Sequence, residues 1–125
     1  MAVAAVTVTV TAETVLQRHA LVLGTLAVAP AADTYAGGGL ALGATEFLNK
    51  VVLAQQVGPV WLIAFGKSGY LYEFDAVAKK LIIRAQTNAA AEDAPLGELT
   101  VGAIPAGVSG DVINFIALFA KFPNV

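Results

Sequence analysis

Gly69-Tyr70-Leu71-Tyr72-Glu73-Phe74-Asp75, followed after a short turn by Lys79-Lys80-Leu81-Ile82-Ile83-Arg84, is the stretch that decides the fold. Side chains alternate across a strand. Tyr70, Tyr72 and Phe74 therefore share one face, and Leu71, Glu73 and Asp75 share the other. Two such runs around a short turn read as a β-hairpin.

The same period extends outward. Residues 3–11 alternate valine with threonine: Val6, Val8 and Val10 on one face, Thr7, Thr9 and Thr11 on the other. This predicts a first strand, or an arm that pairs with a neighbour's sheet edge. Residues 18–29 predict a second strand with Gly24 as a bulge. Residues 30–39 read as a loop ending in Gly37, Gly38 and Gly39. Residues 44–50 allow one helical turn capped by Thr45. Residues 51–57 and 60–65 predict two more strands, parted by Gly58 and Pro59. The second is apolar on both faces, with Trp61, Ile63 and Phe65 against Val60, Leu62 and Ala64. Such a strand is central to a sandwich or lies under a partner. Residues 87–95 read as a loop, residues 98–104 as a strand, and residues 111–122 as the last and longest strand. The expectation is an all-β, single-domain β-sandwich or jelly roll of about eight short strands, with at most one short helical turn. Residues 1–17 form the N-terminal strand or arm, and residues 18–125 the sandwich.

Composition narrows the function classes. Hydrophobic residues make up 58% of the 125, above the ~45–50% of ordinary soluble domains. A domain of this size buries roughly two-thirds of its unfolded-chain surface, so part of this excess is expected at contacts with other chains. Uncharged runs such as residues 51–66 are broken by Gln55, Gln56, Gly58 and Pro59, and fall short of the ~20 apolar residues of a spanning helix. The start lacks the basic region of a signal peptide, so a soluble, unprocessed protein is expected, with no membrane partner. There is no cysteine, which removes disulfides, thiolate nucleophiles and cysteine–zinc sites. Net charge is −2, and Lys79, Lys80 and Arg84 are the one basic cluster. A nucleic-acid surface needs a broader positive footprint, so no nucleic-acid partner is expected.

Each candidate for chemistry has a plainer structural explanation. His19 is the single histidine; it cannot supply paired metal ligands, and no serine motif accompanies it for a triad. Glu73 and Asp75 stand about 6.6 Å apart along one strand, within the roughly 5–9.5 Å of glycosidase carboxylates. Both come from one strand of a small domain, which favours a solvated outer face. Tyr70, Tyr72 and Phe74 could stack on bases or sugars, but aromatic residues at period 2 are first a core face. Gly37, Gly38 and Gly39 lack the lysine and spacing of a phosphate loop. No enzyme, cofactor or metal is expected.

The order of segments carries a resemblance. It runs from Arg18-His19-Ala20-Leu21-Val22-Leu23-Gly24-Thr25, through Tyr35-Ala36-Gly37-Gly38-Gly39-Leu40-Ala41-Leu42 and the Gly69 block with Lys80-Leu81 behind it, to the closing strand over residues 112–119. In this it resembles the head decoration, or cement, proteins of tailed bacteriophages. The Ala76-Val77-Ala78 turn, which lacks an asparagine or glycine, departs from the pattern, as do the Asp93 region and the final Phe122-Pro123-Asn124-Val125. The resemblance implies a non-enzymatic clamp, a homotrimer or a dimer. It would bind the major capsid protein on the outer surface of the virion shell. Val6, Val8 and Val10 on the arm, and Tyr35, Gly37, Gly38 and Gly39 on the loop, are the expected contacts with the capsid or between copies. The alternatives are a carbohydrate- or surface-binding module and a tail or neck component.

Overall fold

The computed structural model describes residues 3–29, 33–51, 58–85 and 96–120. It is an all-β, sandwich-like single domain. Ten strands are β1 (Val6–Val15), β2 (His19–Val28), β3 (Thr34–Tyr35), β4 (Leu40–Ala41), β5 (Trp61–Phe65), β6 (Leu71–Asp75), β7 (Lys80–Ala85), β8 (Gly97–Glu98), β9 (Gly102–Ala103) and β10 (Ile113–Ala120). Two short helices are α1 (Ala44–Phe47) and α2 (Ala106–Ser109). Eight strands form one antiparallel sheet in the order β1-β2-β10-β5-β6-β7-β4, with β8 beside β7; β3 and β9 form a small second sheet.

The inner face of the large sheet is built by alternation. Val6 and Val8, Val22 and Leu26, Ile113, Phe115, Ala117 and Phe119, Leu62 and Ala64, Tyr72, and Leu81 and Ile83 all point into one core. Phe47 of α1 covers this face, packing edge-on against Phe119 at 4.9 Å and Phe115 at 5.9 Å between ring centroids. Tyr35, Ile104 and Val108, carried by or next to β3, β9 and α2, complete the cover. The hairpin that decided the fold is present as expected, with Tyr72 opposite Ile83 and Phe74 opposite Leu81. Its turn needs no asparagine or glycine. The Asp75 carboxylate accepts from the Val77 and Ala78 N–H groups, and Lys79 takes a φ of 55° to close it.

Several boundaries differ from expectation. The first strand is not a free arm: β1 is an edge strand paired along its length with β2, so the division at residue 17 falls in the β1–β2 turn. The bulge lies on β1, between Val10 and Ala12, and not at Gly24. Gly24 has a different task. A Cβ there would sit 2.0 Å from the Thr9 carbonyl oxygen and 2.9 Å from the Phe115 ring. The cap of α1 is Gly43, whose N–H donates to the Glu46 carboxylate at 2.7 Å, and not Thr45. Residues 98–104 are split between β8 and β9, which join different sheets; Gly102, the first residue of β9, has φ of 146°. Within the described residues the final strand covers 8 residues, beginning at Ile113 rather than at residue 111. A second helical turn, α2, precedes it. Residues 52–57 of the strand expected over 51–57, the whole loop over 87–95 and the last two residues of the 111–122 strand lie outside the described residues.

Gly24→Ala is expected to destabilise the fold by about 3 kcal/mol, because β1, β2 and β10 cannot all keep their spacing around an added methyl group. Urea unfolding of the variant beside the parent measures this.

Candidate interaction surface

The outer face of the large sheet follows from the same pairing. Opposite residues on neighbouring strands share a face. One row across the sheet runs Leu21, Leu118, Trp61; the next runs Leu23, Ile116, Ile63. The third runs Thr25, Asn114, Phe65, Leu71 and Arg84. Trp61, Ile63, Phe65 and Leu71 are 47%, 46%, 53% and 45% exposed, and Leu21, Leu23, Ile116 and Leu118 are half-buried. A sheet that faces water on one side normally carries polar residues there. Here three adjacent central strands are apolar on both faces. The strand over residues 60–65 is thus central, as expected, and its outer half is exposed.

The polar residues around this face serve the fold. Arg84 pairs with Glu73 at 3.2 Å at the edge of the patch, and a hollow of about 460 Å³ lies there between Leu71, Glu73, Arg84 and Leu96. Asp75 is occupied in its turn. The two carboxylates therefore have separate structural partners. His19 begins β2, half-buried, opposite Ala120; among the described residues no group of three His, Asp or Glu side chains converges on a metal-sized site. The Lys79 ammonium donates to the Pro59 carbonyl and stands 5.9 Å from the centre of the Phe74 ring.

The residues expected to make contacts divide sharply. Val6 and Val8 lie in the chain's own core, and Val10 packs against it. Tyr35 is fully buried and Gly39 is closed against the Leu81 backbone. Only Gly37 and Gly38 remain exposed. The physical reason is that alternation shows two faces but not which one is inner; the valine face of β1 is inner. Tyr72 is buried, with Tyr70 and Phe74 packed against the core, so these aromatics form the core face. Among the described residues the exposed aromatics are Trp61 and Phe65, neither of which is among the contacts expected from the sequence. Their signal was the double-faced apolar wording of β2, β5 and β10.

Two carboxylate–tyrosine pairs hold the loops behind the sheet. The Tyr35 hydroxyl donates to Glu98 at 2.7 Å and accepts from the Ile83 N–H at 3.2 Å, filling the edge of β7 between β4 and β8. Glu98 also accepts from the Gly38 N–H at 2.7 Å. Burial, then the Glu98 carboxylate, pushes the Tyr35 phenol up to about 12. The hydrogen bond from Tyr35, then that from Gly38, holds the Glu98 carboxyl below its usual range. Asp111 accepts from the Tyr72 hydroxyl at 2.7 Å, the Ser68 hydroxyl at 2.8 Å and the Lys67 N–H at 2.8 Å. Burial raises its pKa, but these donors together outweigh burial and leave it lowered. The Tyr72 phenol is raised, by burial first and by Asp111 second. Gly66 leaves the room: a Cβ there would stand 2.0 Å from the Asp111 carboxylate.

Tyr35→Phe removes the acceptor of a buried Ile83 N–H and one donor to Glu98, and is expected to cost about 1–3 kcal/mol, read by thermal or urea unfolding. Both carboxyls have folded pKa values below their unfolded ones. Their contribution is therefore complete above the ordinary carboxylate range of about 4 and is lost as pH falls through the lowered folded values. Asp111→Asn is expected to flatten the fall in stability below about pH 4 relative to the parent, as seen in a pH series of unfolding midpoints.

No family model, curated protein or solved structure matches the chain.

Proposed function

We propose that this chain is a non-enzymatic decoration, or cement, protein. On this reading it binds the outer surface of a tailed-phage head and stabilises contacts between major capsid proteins. The observation that supports it best is the open apolar face centred on Ile63 and Ile116. A clamp needs area and rigidity, and this face offers both on paired strands of one sheet. Four of the exposed large hydrophobic side chains, Trp61, Ile63, Phe65 and Leu71, adjoin one another there, as expected of a protein that works within an assembly. The resemblance in segment order supplies the kind of assembly. Weak contacts repeated over a shell gain strength through multivalency, so a small domain with a modest patch suffices. The exposed Gly37 and Gly38, braced by Glu98, offer a second and smaller contact.

One observation favours a second reading. Trp61 and Phe65 are exposed aromatics two rows apart on one strand, a spacing of about 13 Å, and exposed rings are the usual platform of a carbohydrate-binding module.

Empty phage shells that lack the protein separate the two. Saturable co-sedimentation with the shells, and a rise in their resistance to heat, is the expected result. Failure to bind shells together with a hit on a sugar array overturns the decoration reading in favour of the second.

A further inference from the structure

The proposed function leaves open what covers the apolar face in the free protein. A single contiguous patch on identical chains can bury itself only across a two-fold axis, where the same surface is used by both partners; a three-fold contact must join two different surfaces. The face is suited to a two-fold. Ile63 lies at the midpoint of β5, with Trp61 two residues before it and Phe65 two residues after it. A two-fold axis that lies between the two sheets, parallel to them and crossing β5 at right angles above Ile63, exchanges these positions, which sets Trp61 of each copy over Phe65 and the adjoining Leu71 of the other. Next to Leu71 is the hollow bounded by Glu73, Arg84 and Leu96. Tryptophan seated beside an arginine is the kind of anchor that dominates interface energetics.

Area and charge both point to a second copy. The half-exposed bulky side chains, with their half-buried neighbours, present roughly 600 Å² of apolar surface, at the top of the range for a monomer's largest patch. A standard interface takes about 800 Å² from each partner, and a rim of Thr25, Asn114 and the Glu73–Arg84 pair brings the face close to that. Charge does not oppose self-contact: the three rows hold one charged residue, Arg84, and Glu73 neutralises it at 3.2 Å. We infer that this face is closed by a second copy of the chain, in a two-fold, face-to-face pair of sheets anchored by Trp61. Each copy then keeps its Gly37–Gly38 loop free for other contacts. The pair does not depend on the decoration reading.

Sedimentation velocity of the full chain over a wide concentration series tests it. The expected result is the mass of two chains at high concentration, with dissociation on dilution. Trp61 is the only tryptophan, so its emission is expected to shift to the red as the pair separates. Ile63→Lys, which places two lysines at the axis, is expected to weaken pairing by roughly 100-fold or more. Val77→Lys, on the far exposed turn, leaves it unchanged. Trp61→Ala, which adds no charge, is the second variant should Ile63→Lys fail to fold, and it too weakens pairing. A monomer at every concentration, a trimer, or a pair indifferent to both face variants overturns the inference. A monomer that still sediments with shells, with Trp61 protected only there, makes the capsid protein the occupant: the pair is overturned and the decoration reading stands. A pair that ignores shells does the reverse.

Discussion

The structure depends on the insertion of β10 between β2 and β5. The β1–β2 hairpin and the β5-β6-β7 meander are each local, and they meet in the large sheet only because β10 bonds to both. Ile113 to Ala120 align with Leu26 to His19 on one side, and Asn114 to Leu118 align with Phe65 to Trp61 on the other. This double register places Phe115 and Phe119 under Phe47, and it places Ile116 between Leu23 and Ile63 on the opposite face. The core and the outer apolar rows are thus two consequences of one alignment. A one-residue slip of β10 would exchange its faces and lose both.

Among the described residues, Glu98 and Asp111 use their carboxylates to hold loops. Glu98 and Asp111 each receive a tyrosine hydroxyl and at least one backbone N–H. Among the described residues no buried side-chain oxygen or nitrogen lacks a partner. Glu73 and Asp75, whose spacing suggested an acid–base pair, are directed to Arg84 and to a turn. The outer face of β2, β10 and β5 is instead dominated by apolar side chains.

How much of this was readable in the sequence depends on the range of the forces involved. The β6–β7 hairpin, the alternation of β1 and β2, and the all-β class are written in period-2 patterns between near neighbours. The inward direction of the β1 valines is not, because it is set by pairing with β2 and by the core that Leu26 and Phe115 have already begun. Gly24 reads as a bulge from its own sequence; its crowding by the Thr9 carbonyl comes from the neighbouring strand. The split of residues 98–104 needs Gly102 at positive φ and two different sheet partners, neither of which is a local property. For the same reason alternation alone does not show that Val6 and Val8 belong to the chain's own core. That β5 is apolar on both faces is legible locally, but the continuous outer row it belongs to depends on β2 and β10 lying beside it with the same character.

The position of β10 also has a consequence for how the protein is made. It is the last of the described strands to leave the ribosome, yet it is the central one. Until it emerges, β2 and β5 each present an unsatisfied inner edge, and the Phe47–Phe115–Phe119 cluster has only Phe47. The nascent chain therefore holds two incomplete sheet fragments that are sticky along their edges, and the arrival of β10 converts them into one domain in a single step. Any shell or twin that the finished protein binds is met only after that step, since neither apolar row exists as a continuous surface before it.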